Sequence, residues 1–197
     1  MSAATFAAHN TFILGGIIMN KKILTLMVGT MLATSVGYAA PLTDLAQGET
    51  NIGYNHYNLD QNGDRVKDDS FYLEHALSNK FIAGIEKNGY ASEYGDFHTT
   101  DIYVHYKLDP NIRLIVGDRS YSGESDKFFY GIGVNTNLAP RLDGYASVTT
   151  NDIATGWQAG LNYKMDGQTS LNLGYKSDKR DNYATKDGVG FGISHKF

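Results

Sequence analysis

The sequence predicts an all-β fold, a closed up-and-down antiparallel transmembrane β-barrel of ten strands, and three observations predict it. Long stretches alternate apolar with small or polar residues at a period of two, as a strand between lipid and a polar interior requires. In the last such stretch Val189, Phe191, Ile193, His195 and Phe197 share one face, and Gly190, Gly192, Ser194 and Lys196 share the other. Short turns alternate with longer polar connections, the pattern of an up-and-down barrel. Outward aromatics gather near both ends of the strands, where amphipathic rings prefer the headgroup level. Composition agrees: 22 glycines and 14 tyrosines against 3 prolines favour strands and turns over helices. Cysteine is absent, which excludes a disulfide framework and a thiolate metal site. The 17 basic and 21 acidic residues are dispersed, and no basic stripe suggests nucleic acid.

The amino-terminal part is expected to be removed. Met19-Asn20-Lys21-Lys22 is a short basic start, followed by an apolar run from Ile23 to Val36 and by Gly37-Tyr38-Ala39 as small-residue cleavage positions. This is the layout of a secretory signal peptide, residues 19–39, with cleavage after Ala39. The apolar run is shorter than the roughly 20 residues a membrane-spanning helix needs. Export signals begin with their charges, so residues 1–18 are expected to be translated leader ahead of a true start at Met19. Residues 40–49 form an N-terminal segment expected at the periplasmic mouth, and residues 50–197 form the barrel.

Ten alternating runs follow. Their outward sets begin with Ile52, Tyr54 and His56; then Phe71, Leu73, His75 and Leu77; then Phe81, Ala83 and Ile85. The next are Ile102, Val104, Tyr106 and Leu108; Ile112, Leu114 and Val116; Phe128, Tyr130, Ile132, Val134 and Leu138; and Leu142, Ala146 and Val148. Trp157, Ala159, Leu161 and Tyr163, then Leu171, Leu173 and Tyr175, precede the carboxy-terminal set. Eight strands is the alternative count. Short turns are expected at 78–80, 109–111, 139–141 and 166–168, pairing Leu77 with Phe81, Leu108 with Ile112, Leu138 with Leu142 and Met165 with Thr169. Longer outer loops are expected at about 60–69, 92–98, 121–126, 151–154 and 177–186.

An aromatic residue closing an alternating final strand resembles the assembly signal of bacterial outer-membrane barrels, here carried by Phe197, Ile193, Phe191 and His195. With the alternation over residues 50–197, the chain resembles small outer-membrane β-barrel proteins of the porin and opacity type. The resemblance implies location in the cell outer membrane, contact with its lipid and lipopolysaccharide, and handling by the export and barrel-assembly machinery. It also implies a monomer.

The inward faces carry the candidate polar residues. Leu108 facing Ile112 sets Asp101 opposite Arg119 and Lys107 opposite Arg113. The first is expected to be a lumenal ion pair. The second is a like-charge pair that needs a nearby carboxylate, from Asp44, Glu49 or Asp143. Glu74 and Glu86 face the same lumen. Buried charges must be paired, so mixed signs suit a filled interior better than a catalytic constellation. No nucleophile motif, phosphate loop or dinucleotide fingerprint is present. Asp60, Asn62 and Asp64 resemble the opening of a calcium loop, but Arg65 stands where that loop needs glycine and the closing glutamate is missing. Asn62-Gly63 is also a tight-turn dipeptide. No cofactor or metal is expected. The expected role is non-enzymatic: envelope structure or surface interaction through the outer loops. A narrow pore for ions or small solutes is the alternative, and a lipid-modifying or proteolytic barrel enzyme the third reading.

Overall fold

The computed structural model describes residues 11–14, 17–20, 40–93 and 95–197, in two units divided after Thr34. In the first unit β1 (Thr11–Leu14) pairs antiparallel with β2 (Ile17–Asn20), Thr11 opposite Asn20. The rest of the expected leader, and the expected signal segment from Lys21 to Ala39, lie outside the described residues.

The second unit is the barrel. Its first five strands are β3 (Thr50–Gln61), β4 (Asp64–Ala76), β5 (Phe81–Ser92), β6 (Gly95–Lys107) and β7 (Ile112–Tyr121). β8 (Lys127–Ala139), β9 (Leu142–Thr150), β10 (Ala154–Lys164), β11 (Thr169–Arg180) and β12 (Lys186–Lys196) complete it. Each strand pairs antiparallel with its neighbour in sequence, and β12 closes on β3. At the seam Thr50 N donates to Phe197 O and Phe197 N donates to Thr50 O, each at 2.9 Å. Closure removes the free sheet edges that lipid cannot satisfy. The strand count is ten, as the alternation predicts.

The faces follow the predicted register. Phe71, Ile102, Leu173 and Phe191, each about 60% exposed, point away from the barrel, while Tyr72, Glu74, Tyr103, Asp101 and Asn172 are buried inside it. Exposed large hydrophobic residues of this kind stand on every barrel strand but β9, the surface that lipid requires. His56, the weak point of the first outward face, is met at the top of the belt by Asp69, whose Oδ1 lies 2.8 Å from its Nδ1.

Three expectations are corrected. Residues 60–69 and 92–98 are not long loops: β3 and β4 run on to a hairpin joined by Asn62 and Gly63 alone, and β5 and β6 run to Ser92 and Gly95; the loop expected at 177–186 shrinks likewise to 181–185, as β11 runs to Arg180. Asn62 (φ 57°) and Gly63 (φ 92°) both take the left-handed conformation of a type I′ turn, and Asp60 Oδ1 accepts from Gly63 N at 3.0 Å. The acidic and amide groups of this stretch thus serve a tight hairpin. The third periplasmic turn also differs. Ala139, not Leu138, pairs with Leu142, and a register shift follows Asn137. Pro140 and Arg141 make the turn, Arg141 at φ 68°, so Leu138 is the extra residue of a bulge. Two other pairings hold: Leu108 N donates to Ile112 O and Met165 N to Thr169 O, each at 2.9 Å; at the first turn the paired register ends with Ala76 opposite Ile82. Finally, residues 40–45 do not stay at the mouth. Ala40, Leu42 and Leu45 are fully buried inside the barrel.

Candidate functional site: a filled lumen beneath an outer cup

The lumen is filled in layers, and the narrowest filling rule is aromatic over glycine. Gly53 stands opposite Tyr72 and Gly84 opposite Tyr103, and a Cβ at either glycine would fall within 2.5 Å of the facing ring. The missing side chains let the rings lie across the neighbouring strand, so bulky residues fit a narrow interior.

At the periplasmic end the chain plugs itself. Leu45 packs with Ala76 and Ile82, while Ala40 and Leu42 join Tyr72, Tyr103, Ile115, Phe129 and Tyr145. The barrel wall holds the segment's backbone: Gln158 Nε2 donates to Ala40 O and Asn162 Nδ2 to Leu42 O, both at 3.2 Å. Thr43 Oγ1 donates to Glu74 Oε2 at 3.3 Å and accepts from Asn51 Nδ2 at 3.0 Å. Asp44 answers the like-charge pair set by the β6–β7 register. Lys107 Nζ lies 3.0 Å from its Oδ1, and Arg113 Nη2 lies 3.6 Å from the same oxygen. Lys107 also donates to Leu45 O at 2.6 Å. Glu49 meets Lys196 at 3.5 Å. Asp143 instead pairs with Lys164 at 2.6 Å.

Mid-lumen, Arg119 grips Asp101 with two bonds, Nε to Oδ1 at 2.7 Å and Nη2 to Oδ2 at 2.5 Å. Lys176 Nζ donates to Asp68 Oδ2 at 2.6 Å. Glu86 accepts from Ser70 at 2.5 Å, and Glu74 accepts from Tyr103 OH at 3.3 Å. His105 Nδ1 lies 3.8 Å from Glu74, beyond hydrogen-bond distance. The acids and bases of the lumen are spread over separate pairs on different strands, and the one short hydroxyl–carboxylate contact among them, Ser70 on Glu86, is fully buried.

Towards the outside the apolar residues change face. Tyr57, Leu59, Val66 and Tyr90 are buried together, with Phe97 packed against them, and the Tyr57 ring lies 5.1 Å from Lys176 Nζ. Beside this layer lies a cup of about 270 Å³ at the outer mouth. Two cations cross it. Lys186 Nζ sits 4.5 Å from the Tyr90 ring centre and 4.6 Å from that of Phe97, and pairs with Asp178 at 3.2 Å. The Arg180 guanidinium lies 5.1 Å from the Tyr121 ring and 5.3 Å from the Tyr183 ring. It bonds Glu124 from the β7–β8 connection, and that bond holds the Glu124 carboxyl below its ordinary range. Arg119 and Thr99 line the cup below, and Gln61 lines one side. Sequence reasoning placed the lumenal charges but missed this cup, because Gln61, Phe97, Asp178 and Arg180 of its wall stand on strand extensions taken for loops.

The sequence matches no protein-family profile and no curated protein. Among solved structures the barrel is similar to the N-terminal β-barrel domain of Pseudomonas aeruginosa OprF, at 11% identity over 78% of this chain and 100% of that one, with a TM-score of 0.43. It is similar to the NanC porin at 8% identity over 74% of this chain and 100% of that one, with a TM-score of 0.46. Ail, the attachment invasion locus protein of Yersinia pestis, matches at 12% identity over 77% and 99% of the two chains, with a TM-score of 0.36.

Proposed function

We propose that this outer-membrane β-barrel is a sealed, non-enzymatic barrel that serves the envelope through its outer face. The observation that carries the reading is the stacking of three fillings along one lumen: residues 40–45 at the periplasmic end, the ion pairs around Asp101 and Lys176, and the aromatic layer of Tyr57 and Tyr90. Ten strands enclose far less space than the 16 or so of an open aqueous pore. A solute would have to break several buried pairs to pass. Activity therefore falls to the walls that β3–β6 raise above the belt, and to the cup they shelter. The belt takes outer-membrane lipid, with lipopolysaccharide on the outer leaflet. The terminal strand with Phe197, Ile193 and Phe191 is the element offered to the assembly machinery.

Planar-bilayer recording tests this. The purified, refolded chain is expected to insert without stable single-channel steps. Regular steps from the wild-type protein would replace the reading with that of a narrow pore.

A further inference from the structure

The outer cup holds two cation clasps that differ in one respect. Lys186 is matched by Asp178, whose side chain is 8% exposed and sits on a strand. Arg180 is matched by Glu124, whose side chain is 43% exposed and sits in the connection between β7 and β8. Arg180 is flanked by Tyr121 and Tyr183 at the end of β11, so the guanidinium stays where it is. The carboxylate is the exchangeable half of the pair. With Glu124 swung out, the cup presents Arg180 beside the rings of Tyr121 and Tyr183, while Lys186 stays paired with Asp178 and Arg119 stays gripped by Asp101 below. Its volume is at the small end for ligand pockets, enough for one ring with a charged group.

We infer that this cup is a binding site for a small ring-bearing carboxylate, whose charged group takes the place of Glu124 on Arg180. The planar guanidinium offers the forked donors that a carboxylate accepts, and the apolar lining of the cup, Ala154 and Ala184 with the ring edges of Tyr121 and Tyr183, receives the ring. Glu124 is a resident stand-in that keeps the arginine paired while the cup is empty. The site rests on the reading that the outer face is the working face, yet it is tested separately, because bilayer conductance does not depend on whether the cup binds anything.

The experiment is titration calorimetry on the full refolded chain in detergent micelles, with blank micelles subtracted. Benzoate and cyclohexanecarboxylate are the probes; benzyl alcohol and cyclohexylmethanol are their uncharged twins. Saturable binding is expected for a carboxylate and not for its alcohol. Tighter binding of benzoate identifies a flat ring, and the reverse a saturated one; both support the site. Glu124→Gln removes the internal competitor and is expected to tighten carboxylate binding about twofold to fivefold, the range of an exposed ion pair. Arg180→Gln is expected to abolish binding while the barrel stays folded by heat-modifiability. The inference is overturned if the alcohols bind as well as the acids. It is equally overturned if neither acid binds, or if Glu124→Gln leaves binding unchanged or weaker, as a purely structural ion pair would require.

Discussion

Replacing Leu173 by arginine is expected to lower the stability of the inserted barrel by about 2–4 kcal/mol. Leu173 is 61% exposed, lies midway along β11 and pairs with Leu161 on β10 and Phe191 on β12. These three residues form one apolar patch on the exterior. In lipid the patch is solvated by acyl chains, and a guanidinium placed there enters hydrocarbon. The same substitution at Ser120, outward on β7 but above the belt, is expected to cost about 0–1 kcal/mol, because the cost falls away towards the interface. Urea unfolding of the barrel in lipid vesicles measures both. Equal costs at the two positions would mean that the exterior does not face lipid.

The second large effect lies inside. Arg119→Met alone is expected to destabilise the barrel by about 3–5 kcal/mol, because it strands the fully buried Asp101 carboxylate. Combining it with Asp101→Asn is expected to cost less than the single change, since the second substitution removes the uncompensated charge. A ring contact adds to the arginine's role, its guanidinium lying 5.2 Å from the Phe129 ring centre. The methionine keeps apolar contact with that ring, so the single change reports mainly on the charge. The same unfolding assay closes the double-mutant cycle. A double variant as damaged as the sum of the two singles would show that the pair is not coupled.

Much of this arrangement was legible because lipid writes a period of two into the sequence. Leu73 beside Glu74, and Ile102 beside Asp101, need no structure to be sorted. The Asp109-Pro110-Asn111 turn was equally plain: Asp109 Oδ1 accepts from Asn111 N at 2.7 Å and Ile112 N at 2.9 Å, which locks the register that sets Asp101 opposite Arg119. The strand extensions were missed for the converse reason. Above the belt the outward residues are Asn58, Asp60, Arg65 and Lys67, which read as loop. A signal was nonetheless there, since Tyr57, Leu59 and Val66 keep the alternation with the apolar phase turned inward. The bulge at Leu138 was hidden by chemistry, as an apolar residue is the obvious partner for Leu142. The plug left almost no local trace. Residues 40–48 have no periodicity, and only the like-charged Lys107 and Arg113 demanded that a carboxylate such as Asp44 come near.

That plug is also where the account is most exposed to test. The chain has no cysteine, so single introduced thiols report their own surroundings. Leu42 is buried in the lumen, and Ala46, four residues further along the segment, is exposed. A water-soluble maleimide added to the folded barrel should label the Ala46→Cys thiol readily. It should leave the Leu42→Cys thiol unmodified until the barrel is unfolded by heat. Labelling of both thiols at the same rate in the folded state would contradict a lumen sealed by its own amino-terminal segment.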